Sequence, residues 1–195
     1  ENLILFSILA GQLFKLPLAQ NSGATILDLT LAGLCLVGLT RSRFHLKKPP
    51  AFILSGFIFT LIALISLIIS PLHLSNFERL TSFFYILRFL ILLLFGLLVF
   101  QKVILINAKS AQRLLVISGL GLSILGLLQL IFIPNLEFLS NQGWDPHFFR
   151  TASTFLDPNF LGGYLNLTLL FMMSLRATER SVVMTVTYLA LLTTF

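Results

Sequence analysis

Seven apolar stretches, separated by short polar connections, run through this sequence and exclude most folds before any other feature is weighed. An α-helix needs about 20 mainly apolar residues to cross a bilayer core. Hydropathy and punctuation place such helices near residues 2–18, 24–40, 50–70, 82–101, 113–133, 159–175 and 182–195. Pro49-Pro50, Pro71, Pro134 and Pro158 fall at the proposed ends, where a missing backbone donor is cheap. Hydrophobic residues make up 57% of the chain and charged residues 10%, against about a quarter charged in ordinary soluble domains. No soluble core could hide that much apolar surface. The expected architecture is therefore all-α, a polytopic transmembrane helix bundle in one domain over 1–195, with no room for a soluble domain. The first stretch lacks the basic start and small-residue cleavage site of a signal peptide, so it is read as a helix. Glu1 in place of Met, and an end at Thr194-Phe195 inside an apolar run, read as the truncated part of a longer protein.

The formal charge of +6 does not point to nucleic acid, because the basic residues fall in short clusters between apolar stretches and not along one face. That is the distribution of a topology signal. Arg41, Arg43, Lys47 and Lys48 fill one connection; Lys102, Lys109 and Arg113 fill the next but one; Arg176 and Arg180 fill the last. Basic residues are retained in cytoplasmic connections, so these are expected to face the cytoplasm. The stretch from Pro71 to Thr81, with Glu78 against Arg79, and the loop 134–158, with Glu137, Asp145 and Asp157 against Arg150, are expected to face outward. The single Cys35 has no partner for a disulfide and reads as a small packing residue.

Charged side chains near the bilayer centre cost at least about 2.5 kcal/mol, which makes each one a functional candidate. Arg88 sits about six residues into its predicted helix, roughly 9 Å below the outer interface at 1.5 Å per residue. Asp28 is similarly placed about one turn in, Lys15 near the outer end of the first helix, and Gln129 near the outer end of the fifth. Lys15 and Arg88 could snorkel to headgroups, with Asp28 pairing one of them; for Arg88, Tyr85 one turn earlier and the apolar neighbours favour an interior position. Gly119, Gly121, Gly126, Gly162 and Gly163 read as sites of close helix approach. Asn166-Leu167-Thr168 has the form of a glycosylation sequon but lies inside a predicted span, out of reach of a transferase.

The loop 134–158 is the longest and holds the only tryptophan, Trp144. Its end reads Arg150-Thr151-Ala152-Ser153-Thr154-Phe155-Leu156-Asp157-Pro158-Asn159-Phe160-Leu161-Gly162-Gly163-Tyr164. Asp157-Pro158-Asn159 ahead of an apolar run is a helix start signal. A helix N-terminus carries positive partial charge, so Arg150 and that terminus could together cradle a phosphate-bearing group. Arg150 to Tyr164 resembles the Arg, Gly/Ser-Thr-Phe, Pro-Asn, small-residue pattern of the O-antigen ligase and O-antigen polymerase family. Gly11-Gln12-Leu13 with Leu16-Pro17-Leu18, the Asp28 helix, the helix carrying Tyr85 and Arg88, and the helix end from Gln129 to Pro134 are similar to the amino-terminal half of such proteins.

The resemblance implies a glycosyltransferase of the bacterial inner membrane that moves a glycan from an undecaprenyl diphosphate carrier to a lipid, glycan or protein acceptor on the extracytoplasmic side. No metal or nucleotide sugar is implied. Arg150 matches the family arginine and Pro158-Asn159 the Pro-Asn pair. Arg150 is thereby the expected catalytic residue, holding the diphosphate, with Arg88, Asp157 and Asn159 as further donor-binding residues. The family carries its base, a histidine, in a later outer loop that this sequence does not contain. His147 matches no family base, and His45 and His73 read as loop residues. The competing readings are a transporter or flippase of lipid-linked glycans, for which the charges should continue to the cytoplasmic side, and a noncatalytic scaffold, for which a buried arginine would be an unnecessary cost.

Overall fold

A computed structural model of the protein describes residues 2–19, 22–42, 47–71, 74–142, 147–173 and 181–194. The chain is all-α apart from one two-stranded sheet. Its helices are α1 (Asn2–Ala10), α2 (Ile26–Arg41), α3 (Ala51–Ile69), α4 (Asn76–Phe100), α5 (Ala108–Phe132), α6 (Pro158–Met173) and α7 (Ser181–Leu192), and its strands β1 (Lys15–Ala19) and β2 (Ser22–Thr25). Two 3-10 turns, Glu137–Gln142 and Ser153–Phe155, lie between α5 and α6. Trp144, Asp145, His45, His73, Arg43, Arg176 and Arg180 fall outside the described residues.

Among the described residues, α3, α4 and α5 are the helices long and apolar enough to cross a bilayer, which marks the chain as a membrane protein. The expectation of about seven membrane helices is thus corrected: among the described residues there are seven helices, of which length and composition qualify three as spans. Large apolar side chains cover the outside of the spans, Ile68 at 77% and Phe132 at 76% exposure among them, as hydrocarbon in place of water allows.

Where hydropathy reads one helix over 2–18, α1 stops at Ala10 and the chain turns into β1. Nine residues rise only about 14 Å, half a bilayer core. The break has a local cause. Gly11 takes a left-handed φ of +51°, and a side chain there would clash with the Thr154 carbonyl oxygen. The next amide, Gln12 N–H, donates to that same carbonyl at 2.7 Å. Continuing the helix would give up this bond, and Pro17 further along has no N–H to offer a helix.

Other helices begin earlier than hydropathy suggests, because their first turns are polar. Ser75 caps α4 in a reciprocal arrangement, its hydroxyl accepting from Glu78 N–H while the Glu78 carboxylate accepts from Ser75 N–H. Glu78 and Arg79 therefore belong to α4 and not to a loop. Asn107 caps α5 by accepting from Lys109 N–H, which brings Lys109 and Arg113 into that helix.

The chain divides into two compact units, one formed by residues 1–15 with 107–195 and the other by 16–106. In the second unit α4 packs against both α2 and α3. Gly56 lets α3 approach Leu93 of α4, and edge-to-face pairs Phe59–Phe89 and Phe52–Phe100 fill the seam on either side. Cys35 is buried there with its thiol 3.7 Å from the Ile91 carbonyl. In the first unit α5 packs against α1, α6 and α7 around Leu122, Leu161, Leu165, Ala190 and Leu191. Gly119 meets Thr168 and Gly121 meets Leu9, so both serve close packing, whereas Gly163 faces open space.

Candidate functional site

Each unit holds one arginine in a polar centre. In the unit formed by 16–106 the centre starts from the capping of α2. The Thr25 hydroxyl accepts from Asp28 N–H at 3.2 Å, and the Asp28 carboxylate accepts from Thr25 N–H at 2.8 Å and from the Thr25 hydroxyl at 2.9 Å. This capping box fixes Asp28 in the first turn of α2. Arg88 arrives from α4 and donates through Nη2 to Asp28 Oδ2 at 2.6 Å and to the Gly23 carbonyl of β2 at 3.0 Å. Its guanidinium carbon lies 5.9 Å from the centre of the Tyr85 ring. The side chains are 33% and 18% exposed, so the pair is partly shielded and nearly neutral as a unit. Of the two basic residues weighed against Asp28, the partner is Arg88; Lys15 lies in β1.

The centre in the other unit is built on the residues just ahead of α6. Pro134 to Leu136 pair with His147 to Phe149: Leu136 N–H donates to the His147 carbonyl and Phe149 N–H to the Pro134 carbonyl, each at 2.9 Å. This pairing fixes His147, half-buried, through its backbone. From there the chain runs through Arg150 and Thr151 along the end of α7. Thr151 N–H donates to the Thr193 carbonyl at 2.9 Å and its hydroxyl to the Ala190 carbonyl at 3.1 Å. Arg150 donates to the Thr194 carbonyl through both Nε, at 2.9 Å, and Nη2, at 2.6 Å.

One edge of the planar Arg150 fork is therefore occupied by a carbonyl oxygen. Among the described residues no group bonds to Nη1. A guanidinium has five N–H donors, so the edge formed by Nη1 and the second Nη2 hydrogen stays open for a bidentate acceptor. Among the described residues no carboxylate bonds to the Arg150 guanidinium, which is only partly buried.

Three residues of this segment other than glycine take left-handed φ values: Phe149 at 54°, Ser153 at 51° and Leu156 at 56°. Such conformations cost on the order of 1–3 kcal/mol each and persist where surrounding bonds over-determine them. Part of that support comes from Gln129 in the last turn of α5, whose side-chain oxygen accepts from Ala152 N–H at 2.9 Å and Ser153 N–H at 3.4 Å. The hydroxyls of Ser153 and Thr154 are buried and find no partner among the described residues.

Asp157 and Asn159 occupy different roles from Arg150. Asp157 Oδ1 accepts from Asn159 N–H at 2.7 Å and from Phe160 N–H at 3.2 Å, capping α6. The positive end of α6 is thus already matched with the chain's own carboxylate, which removes much of its attraction for a phosphate. Arg150 bonds to the end of α7 and Asp157 to the start of α6. Asn159 is exposed in the first turn of α6.

Sequence reasoning did not find Thr151, Thr193 and Thr194, because a carbonyl at a helix end leaves no mark in residue type. It singled out Gln129 for its depth but not for its partners. Gly11 drew notice only as part of the Gly11-Gln12-Leu13 resemblance, not as the point where α1 stops. Comparison of the chain with protein-family models, with curated proteins and with solved structures found no match.

Proposed function

We propose that the protein is a membrane glycosyltransferase of O-antigen ligase type, acting on the extracytoplasmic side of a bacterial inner membrane. Its donor would be a glycan on undecaprenyl diphosphate and its acceptor a lipid, glycan or protein. The reading draws on the resemblance of Arg150 to Tyr164 to the family pattern. The observation that carries it is the state of Arg150: held on one edge by the Thr194 carbonyl and bonded to no carboxylate among the described residues.

Transfer breaks the bond between the sugar's anomeric carbon and the carrier diphosphate and forms one to an acceptor hydroxyl, whose proton is lost. Negative charge grows on the departing diphosphate. A guanidinium already oriented by a carbonyl can meet that charge without rearranging, and its planar fork suits two phosphate oxygens at once. Arg88 would assist donor binding in this reading, with Asp28 moderating its charge. Asn159 would contribute from the first turn of α6, whereas Asp157 acts mainly as the cap.

The test is transfer of a labelled glycan from undecaprenyl diphosphate in proteoliposomes carrying the protein as encoded, wild type against Arg150→Ala. Transfer that requires Arg150 supports the reading. Donor movement between leaflets without transfer to any acceptor would replace it with the flippase reading.

A further inference from the structure

Gln129 is the one side chain of α5 that grips the segment carrying Arg150 through both halves of its amide. Its oxygen takes the consecutive N–H groups of Ala152 and Ser153, at 2.9 and 3.4 Å. Its nitrogen donates to the Ile133 carbonyl at 3.0 Å and lies 3.5 Å from the Arg150 carbonyl. Gly126, one turn earlier on α5, faces the same segment: a side-chain carbon there would be in ordinary contact, 3.5 Å, with the Cβ atoms of Thr151 and Ser153. The backbone from Arg150 to Ser153 therefore lies along α5 over Gly126 and is fastened at Gln129.

The opposite side is fastened to α7. Thr151 bonds to the Thr193 and Ala190 carbonyls, and the Arg150 guanidinium to the Thr194 carbonyl. The guanidinium thus depends on two anchors, α7 at its tip and α5 at its own backbone. Ala152 has no solvent exposure, so water cannot replace the bond that Gln129 gives its N–H. Few side chains could serve here: the position needs an acceptor for two amides and a donor for a carbonyl on one short planar group.

We infer that Gln129 is a positioning residue for Arg150, governing glycan transfer through the placement of the guanidinium and touching no substrate itself. The inference rests on the reading of Arg150 as the diphosphate-binding group. Gln129→Met keeps the length and apolar bulk of the side chain and removes every hydrogen bond. Gln129→Glu keeps the accepting oxygen, and in its neutral form the donor as well.

The experiment measures single-turnover transfer in proteoliposomes for both variants, each in the wild-type and the Arg150→Lys background, beside Arg150→Ala. Misplacing a catalytic group by about 1 Å can reduce rate by as much as about 100-fold, so Gln129→Met is expected to lower transfer about tenfold or more in the wild-type background. In the Arg150→Lys background, where the fork is already gone, the same change should lower it less than about threefold, since coupled residues are not additive. Gln129→Glu should keep at least about a third of transfer, rescued by the retained acceptor. An equal loss in both backgrounds would show a structural role alone and overturn the inference. So would full transfer by Gln129→Met. Should Gln129→Met fail to fold, a folded Gln129→Glu protein without transfer overturns it as well. Wild-type transfer by Arg150→Ala is a different failure, since it removes the diphosphate reading and the inference with it.

Discussion

The two arginine centres use the same side chain in opposite ways. Arg88 donates to a carboxylate, which is itself held by a helix cap, and the pair carries almost no net charge. Arg150 donates to a backbone carbonyl, which orients the guanidinium without neutralising it. A carboxylate partner satisfies a buried arginine electrically; a carbonyl partner satisfies it geometrically and leaves its charge for something else. On that comparison the centre ahead of α6 orients an arginine that meets no carboxylate among the described residues, and the centre at α2 and α4 pairs its arginine with one.

Removing Arg150 should break the comparison most sharply. Loss of one oriented donor to a developing oxyanion commonly lowers rate about 100- to 1,000-fold, and Arg150→Ala is expected to fall at or beyond the upper end, with membrane insertion intact. Arg150→Lys should rescue poorly, because an ammonium lacks the fork. Proteoliposome transfer with a parallel measure of insertion checks both, and an active Arg150→Ala protein would leave the two centres functionally alike.

Asp28→Asn tests the other side. It leaves Arg88 without its countercharge, and with both groups partly exposed the expected destabilisation is about 1–3 kcal/mol. The double variant Asp28→Asn, Arg88→Gln should recover part of that loss, since no charge is left unpaired. Thermal unfolding in detergent reads both, and a double variant no better than Asp28→Asn would deny the pairing its structural role. If Arg88→Ala lowers transfer at normal expression, Arg88 also serves the donor.

Smaller effects sharpen the picture. Gly11→Ala combines a left-handed φ with a clash against the Thr154 carbonyl, and should lower stability by about 1–2 kcal/mol. An unchanged melting temperature would mean that α1 can leave its helix without a glycine. Asp157→Ala removes the cap of α6 and should lower stability by about 1 kcal/mol while changing transfer less than about threefold. A larger fall in transfer would return Asp157 to the donor site.

What could be read in advance follows from which interactions leave a trace in residue type. Long apolar runs announce α3, α4 and α5, and Asp157-Pro158 announces the start of α6. The Arg88–Asp28 pair was one of two arrangements that the scarcity of charge at depth allowed. Hydropathy lost the first turns of α4 and α5 because a capping serine or asparagine starts a helix in polar sequence. It overran α1 because the stop depends on the carbonyl of Thr154, far away in sequence. The Arg150 to Thr194 bond was illegible for the same reason: every residue has a carbonyl, and only the path of the chain decides which one an arginine meets.

The unit that holds Arg150 is discontinuous, with residues 1–15 at one end of the sequence and 107–195 at the other. That fact sets an order in time. During synthesis α1 is made first and must wait while the whole of the other unit emerges before α5 can meet it. The Arg150 segment follows, but its second anchor, the end of α7, is later still. A nascent chain halted before α7 would carry the motif and its anchor at Gln129 and yet lack the carbonyl that orients its guanidinium. The orientation of the Arg150 guanidinium should thus arrive late and abruptly, with α7, and not grow by degrees as the chain enters the membrane.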